Sequence, residues 1–387
     1  MRIFNKTNVY DEALNRIRFL FDEFDNVCVG FSGGKDSTIV LNLALIVARE
    51  RNRLPLPVIF IDQEAEWQGT INLVKEVMYS PEVLPMWFQM PMVITNNASS
   101  YERYNYCWEE GKDNKWVHPK DEISIKENKY GTNRFHELFE AIFAVEFKGK
   151  KACYLAGVRT EESPKRLMSL TSALTYKHVT YGKALNKAKE HYTFYPIYDW
   201  SVSDVWKAIH DNNWSYNSVY DGMYRHGVNV IDMRISNLHH ETAVQNLLLV
   251  QEIEPDTWEK ISARIDGANT IKHLKNNSYH CPKELPYMFK DWEEFAMYLK
   301  DNLVQEEDNR NLVMSWYERN KKYLITDKAR SIFFRTMINA ILSSDWDGTK
   351  IINLTTRPEF NTLKKFVDGK ITPENYEINM KYDSYLR

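Results

Sequence analysis

The sequence predicts an α/β chain in which a parallel sheet carries helices on both faces, followed by a mostly helical C-terminal region. Three observations carry this. Continuous β-prone apolar runs at 27–31 (VCVGF), 56–62 (LPVIFID) and 151–158 (KACYLAGV) alternate with helix-length segments of amphipathic or buried pattern. Polar clusters follow these runs: SGGKDS after the first, DQEAEW after the second and, overlapping the end of the third, GVRTEES. From about residue 250 the alternation stops and helical patterns continue alone.

The elements follow in order. Residues 11–23 have helical spacing and lead into the strand at 27–31, and 36–51 is long enough for a buried helix. A Pro-marked turn precedes the strand at 56–62, and 70–78 is an amphipathic helix. Residues 86–95 (MWFQMPMVIT) predict a third strand, which Pro91 pushes toward a sheet edge. Residues 99–132 are polar, aromatic and aperiodic, an insertion or cover over the site; a helix at 133–147 and the fourth strand at 151–158 follow. Helices are expected at 255–274, 291–303 and 329–342. The chain therefore divides into 1–240, a nucleotide-binding α/β domain, and 241–387, a helical domain. Strand order alternating with helices brings the three polar clusters to the carboxyl ends of the strands, where open parallel sheets bind ligands.

Composition narrows the class. With 387 residues, 43% hydrophobic and 27% charged, the chain can bury a large core. No run of 18 apolar residues and no leader-like N-terminus is present, so no membrane association and a cytoplasmic location are expected. A net charge of −3 argues against broad nonspecific nucleic-acid affinity and leaves a local basic patch open. Cys28, Cys107, Cys153 and Cys281 lie far apart, two of them inside apolar strand-like runs, so disulfides are not expected; they form no CxxC pair, so neither a structural zinc site nor an iron–sulfur cluster is expected.

The loop after the first strand carries the chemistry. A Walker A loop needs GxxxxGK followed by Ser or Thr, but Lys35 is followed by Asp36, and Val29 stands where the first glycine would be. No GxGxxG follows the strand either. What remains still suits an anion: Gly33 and Gly34 admit close approach, the helix N-terminus offers N–H groups, and Ser32, Ser37 and Lys35 add hydroxyls and charge. Asp36 would repel that anion unless a divalent cation, Mg2+, bridges them or the carboxylate caps the helix.

SGGKDS between a strand and a helix resembles the motif of the PP-loop ATP pyrophosphatases, whose fold is the adenine nucleotide alpha hydrolase-like sheet. AGVRTEESPKR (156–166) and FYPIYDWSVSDVW (194–206) are similar to segments of phosphoadenosine phosphosulfate (PAPS) reductases and the small subunit of sulfate adenylyltransferase. FIDQEAEW, the insertion, MRISNLHHETA (233–243) and the helical tail look most like the IbrA-type branch. The resemblance implies ATP or PAPS on Ser32, Gly33, Gly34, Lys35, Asp36 and Ser37, with Mg2+ at Asp36. It implies Lys35 and Arg159 as catalytic groups, Arg159 reaching phosphate or a sulfate-like group, and Asp62 near the adenosine. It also makes a ParB/sulfiredoxin-like protein a plausible partner. Gly157 reads as a close backbone approach at a strand end. Arg159 could instead pair with Glu161 or Glu162, and Asp62 could cap the next helix. Trp200 and Trp206 read as core. The basic stretch 159–192 is either a solvated segment or a clamp for a second anion, including a nucleic-acid end. Adjacent His239 and His240 point apart on a helix and stay unassigned. The reductases' C-terminal ECG-x-H cysteine is missing, and the flanks of Cys281 do not match it. The sequence thus supports ATP cleavage with AMP transfer more than thiol-based reduction, and a purely regulatory nucleotide-binding role is the alternative of another class.

Overall fold

The apolar runs become parallel strands because both of their faces are covered. The computed structural model describes residues 6–95, 104–162, 164–171, 174–186, 190–235, 238, 244–265, 281–343 and 345–378. In it β1 (Asn26–Gly30), β2 (Leu56–Ile61), β3 (Val83–Phe88), β6 (Ala152–Leu155), β8 (His191–Phe194) and β7 (Gly182–Ala184) form one sheet in the order β3-β2-β1-β6-β8-β7. All neighbours are parallel except β7, which returns antiparallel along β8. The sheet is therefore mostly, not wholly, parallel; the antiparallel edge strand has three residues and gave no periodic signal.

Alternation along each strand sorts the side chains into two cores. Val27, Val29, Val58, Phe60, Cys153 and Leu155 pack on one face with residues of α1 (Val9–Glu23), α2 (Lys35–Glu50), α3 (Gln68–Met78) and α6 (Val202–Asp211). Cys28, Ile59, Phe88 and Ala152 face the other way, against Leu138, Ile142 and Phe143 of α4 (Phe135–Glu146). Trp200 lies in the first core, its indole N–H donated to the Val9 carbonyl at 3.0 Å. Ser201 and Asp204 of the FYPIYDWSVSDVW stretch form a reciprocal cap at the start of α6.

The strand expected over 86–95 is two strands. β3 ends at Phe88, and Met92–Thr95 forms β4, which pairs with β5 (Tyr104–Cys107) in a separate two-stranded sheet. Pro91 between them has no N–H to donate to a ladder. The basic stretch 159–192 carries α5 (Pro164–Thr171), β7 and the start of β8; Lys177 pairs with Glu23 at 2.5 Å and Lys183 is exposed, while Lys187 and Lys189 lie outside the described residues, as do His239 and His240.

The chain packs as two compact units, Met1–Ile94 with Tyr104–Ile265, and Thr95–Arg103 with Asp266–Arg387. The first also contains α7 (Val219–Arg225), α8 (Val244–Ile253) and α9 (Pro255–Arg264). In the second, α10 (Trp292–Asn302), α11 (Glu307–Asn320), α12 (Asp327–Leu342), α13 (Thr349–Thr355) and α14 (Pro358–Val367) surround Trp316, Phe333, Phe334, Met337 and Ile338. Among the described residues no helix is long and apolar enough to cross a membrane.

Candidate functional site

The SGGKDS loop turns from β1 into α2 through Gly33, whose φ of +69° side chains rarely adopt. A Cβ there would also meet the Thr70 methyl at 2.8 Å. Gly34 is the extended N-cap residue of α2. Ser37 Oγ accepts from the Ser32 N–H at 3.2 Å and donates to the Gly34 carbonyl at 2.9 Å, which closes the loop on itself. The Lys35 N–H goes to the Tyr220 hydroxyl at 3.0 Å. Among the described residues, nothing accepts from the N–H groups of Gly33, Gly34, Asp36 and Ser37. Four backbone donors at one helix N-terminus make an anion cradle.

The charges beside the cradle are paired with one another. Lys35 is 3% exposed; its ammonium lies 3.1 Å from Asp36 Oδ2, donates to the Met233 carbonyl at 3.1 Å and sits over the Tyr220 ring. Arg159, equally buried, donates Nε to Asp36 Oδ1 at 2.5 Å and a terminal nitrogen to Glu161 at 2.8 Å. Arg166 pairs with Glu162. Burial pushes the Lys35 ammonium below its ordinary range; Asp36 opposes this, while Arg159 and Arg234 add to it. Arg166 is lowered by burial first and then by Arg234. Gly157 sits against the loop so closely that a Cβ would lie 2.6 Å from the Asp36 carbonyl carbon and 2.7 Å from the Ser37 nitrogen. The first and third polar clusters therefore share one place.

Asp36 does not offer a magnesium site with the residues around it. Its two oxygens face a guanidinium and an ammonium, and a dication would displace one of these cations rather than join them. Among the described residues no group of three or more His, Cys, Asp or Glu is placed to hold a metal.

The second cluster is organised inward. Asp62 is fully buried: Oδ1 accepts from the Glu64 N–H at 2.9 Å, and Oδ2 from Trp87 Nε1 at 3.0 Å and Gln89 Nε2 at 2.8 Å. His118 Nε2 stands 3.4 Å from Oδ1 without hydrogen-bond alignment. Burial works against the His118 imidazolium, but the Asp62 charge wins and raises it above its usual value. Glu64 holds a left-handed φ of +70° and is pinned by Arg264 at 2.6 and 3.1 Å and by the Trp108 N–H at 2.7 Å. The described part of the insertion thus docks on this loop through Trp108 and His118. Among the described residues the Asp62 side chain makes no hydrogen bond or ion pair with the SGGKDS residues.

Several contributors were not visible in the sequence. Asn217 donates to the Gly33 carbonyl at 3.2 Å and to Thr70 Oγ1 at 2.9 Å, tying the loop to α3. Tyr220, wedged edge-on against Trp206, stoppers the Lys35 N–H, and Met233 holds the ammonium. All three come from about 185 to 200 residues away, with no local pattern to announce them.

Residues 26–226 match the phosphoadenosine phosphosulfate reductase domain, and 227–361 match a domain of unknown function. The chain is 31% identical over 331 residues to the uncharacterized protein YbdN of Escherichia coli (strain K12), covering 81% of this chain and 80% of that one. It is 25% identical over 215 residues to sulfate adenylyltransferase subunit 2 of Shewanella pealeana, covering 52% of this chain and 62% of that one. Among solved structures, a PAPS reductase of Candida auris (16% identity, TM-score 0.34) covers 62% of this chain and 98% of its own. A Candida glabrata FMN adenylyltransferase (16%, TM-score 0.34) covers 56% and 62%. The chain spans less than two thirds of both adenylyltransferases. Its loop, its strand-end arginine and the match over more than half its length lead to one conclusion: the chain belongs to the phosphoadenosine phosphosulfate reductase domain family.

Proposed function

We propose that the chain binds ATP on the SGGKDS loop, cleaves it between the α and β phosphates, and transfers AMP to an oxyanion or a macromolecular acceptor. The observation that carries this reading is the cradle of four backbone N–H groups flanked by the buried cations Lys35 and Arg159. An acceptor oxygen attacks the α-phosphorus, the bond to the β-bridging oxygen breaks, and pyrophosphate leaves with the electron pair. The loop N–H groups, Ser32, Ser37 and Lys35 hold the leaving pyrophosphate as its charge grows, and Arg159, aimed by Asp36, steadies the reacting phosphate. Asp36 enters as the residue that positions both cations. Asp62 shapes the neighbouring strand end from inside, and Gly157 lets the two strand ends meet.

Release of labelled pyrophosphate, with and without candidate acceptors, tests the reading. Lys35→Ala is expected to lower release by about 100-fold, the range of one lost transition-state donor. Absence of ATP binding, with no loss on Lys35→Ala, overturns it. Release of sulfite from PAPS in the presence of a thiol reductant, with and without Cys281→Ser, separates transfer from reduction, since a thiol route on this chain requires Cys281. Within the family we assign the chain to the IbrA-type branch, on FIDQEAEW, the insertion and MRISNLHHETA. On that assignment a ParB/sulfiredoxin-like protein is the partner to seek by pull-down, with nucleic acid as a second bait.

A further inference from the structure

The main sheet spreads from β1 in two directions. Toward β2 and β3 the helices α2 and α3 cover one face; toward β6 the preceding helix, α4, covers the other. The direction reverses beyond the carboxyl ends of β1 and β6, where open α/β sheets take ligands. The N–H cradle opens onto this crevice from the start of α2. From the α4 face the crevice is reached by Tyr154 of β6, whose ring lies against Gly30, the last residue of β1. A Cβ on Gly30 would overlap the Tyr154 Oη and Cζ and stand 2.7 Å from its Cε2. Gly30 lies outside the left-handed region, so its missing side chain serves to make room for this ring.

We propose that the Tyr154 hydroxyl holds the nucleoside half of ATP, across the crevice from the phosphate cradle. The assignment rests on the ATP reading above and adds to it the contact that fixes sugar and base. Three observations support it. Phe139 stands edge-on to the Tyr154 ring with centroids 4.2 Å apart, and Phe143 does so at 5.9 Å. Such apolar packing would hold a phenylalanine equally well. The hydroxyl adds nothing to it and makes no hydrogen bond among the described residues, so its donor and its acceptor are open to a ligand. Next, Ile61 at the end of β2, Phe139 and Tyr154 itself are half-buried on this one face, and apolar surface with a single polar group suits a purine nucleoside. Last, Asp62 at the neighbouring strand end is fully buried, with its oxygens committed to Glu64, Trp87 and Gln89. The nucleoside therefore needs another polar partner, and Tyr154 supplies one.

The test uses the full chain, wild type and with Tyr154→Phe, and titrates ATP, AMP and inorganic pyrophosphate by calorimetry. Tyr154→Phe keeps the ring and its packing, so thermal unfolding should match wild type. ATP and AMP are expected to weaken by about 5-fold, the worth of one neutral hydrogen bond, while pyrophosphate stays within about 2-fold. Undiminished binding of ATP and AMP to the variant overturns the assignment and leaves the ATP reading intact. An equal loss for pyrophosphate overturns it too, because it marks a disturbed loop rather than a lost nucleoside contact. If the wild-type chain binds none of the three, the ATP reading itself fails and this assignment falls with it.

Discussion

At the scale of single residues the site is governed by close backbone approach. Gly157 touches the Asp36 and Ser37 backbone, and a methyl there meets main-chain atoms at 2.6–2.7 Å that cannot swing aside. Gly157→Ala should therefore displace the loop, costing about 1–3 kcal/mol of stability and weakening ATP binding by about 5-fold or more. Thermal melts and ATP titration check this; an unshifted melt with normal binding would show that the two strand ends are not in contact. Gly157 was readable from the sequence because a glycine at a strand end has few other uses. Asn217, Tyr220 and Met233 were not readable, since an ordinary Asn, a buried Tyr and a main-chain carbonyl become site residues only when the fold brings them to the loop.

At the scale of elements, the turn after β2 is a buried acidic knot. Glu66 is buried, and that burial, reinforced by the Asp62 charge and opposed by the Gln63 N–H, raises its carboxyl well above the usual range. A raised acid favours folding fully below its unfolded value of 4.5, and that contribution is lost as pH rises through the folded value. Glu66→Gln removes the titration. The difference in unfolding midpoint between variant and wild type should be small near pH 4.5 and grow in favour of the variant toward neutrality; a difference flat with pH would refute this. The apolar run before the knot predicted its strand well, because both faces are buried. The inward turn of Asp62, Glu64 and Glu66 was not legible: an acid-rich stretch after a strand looks solvated until Trp87, Gln89, Trp108 and Arg264 arrive from elsewhere in the chain.

For the whole molecule, α8 and α9 matter more than their position near the end of the α/β pattern suggests. Glu254, between them, accepts from the Gln68 and Gly69 N–H groups at 2.7 and 2.9 Å and so caps α3, while Arg264 neutralises buried Glu64. A chain ending after Ile265 should unfold cooperatively and bind ATP. One ending at residue 240, the boundary read from the end of the strand–helix alternation, loses both clamps and should be less stable by about 3–5 kcal/mol, the penalty of an orphaned buried charge. Denaturant titration of the two truncations decides where the nucleotide-binding domain stops: equal stability would place its end at 240. The fold class was legible because alternation of strand and helix is written locally. The seam was not, since two helices at the start of a helical stretch look the same whether they pack backward or forward.

Asp36 spans Lys35 and Arg159, so the loop keeps a tenant of its own. An incoming anion finds the loop N–H groups open but must share those two cations with a carboxylate that is covalently tethered and thus always present at high effective concentration. Chloride or acetate, with one charge, gains little from that exchange. A diphosphate brings several charges and enough oxygens to meet the backbone donors as well. On the ATP reading proposed above, the side chain that reads as a fault beside an anion sets a threshold that a polyphosphate clears more readily than a single charge.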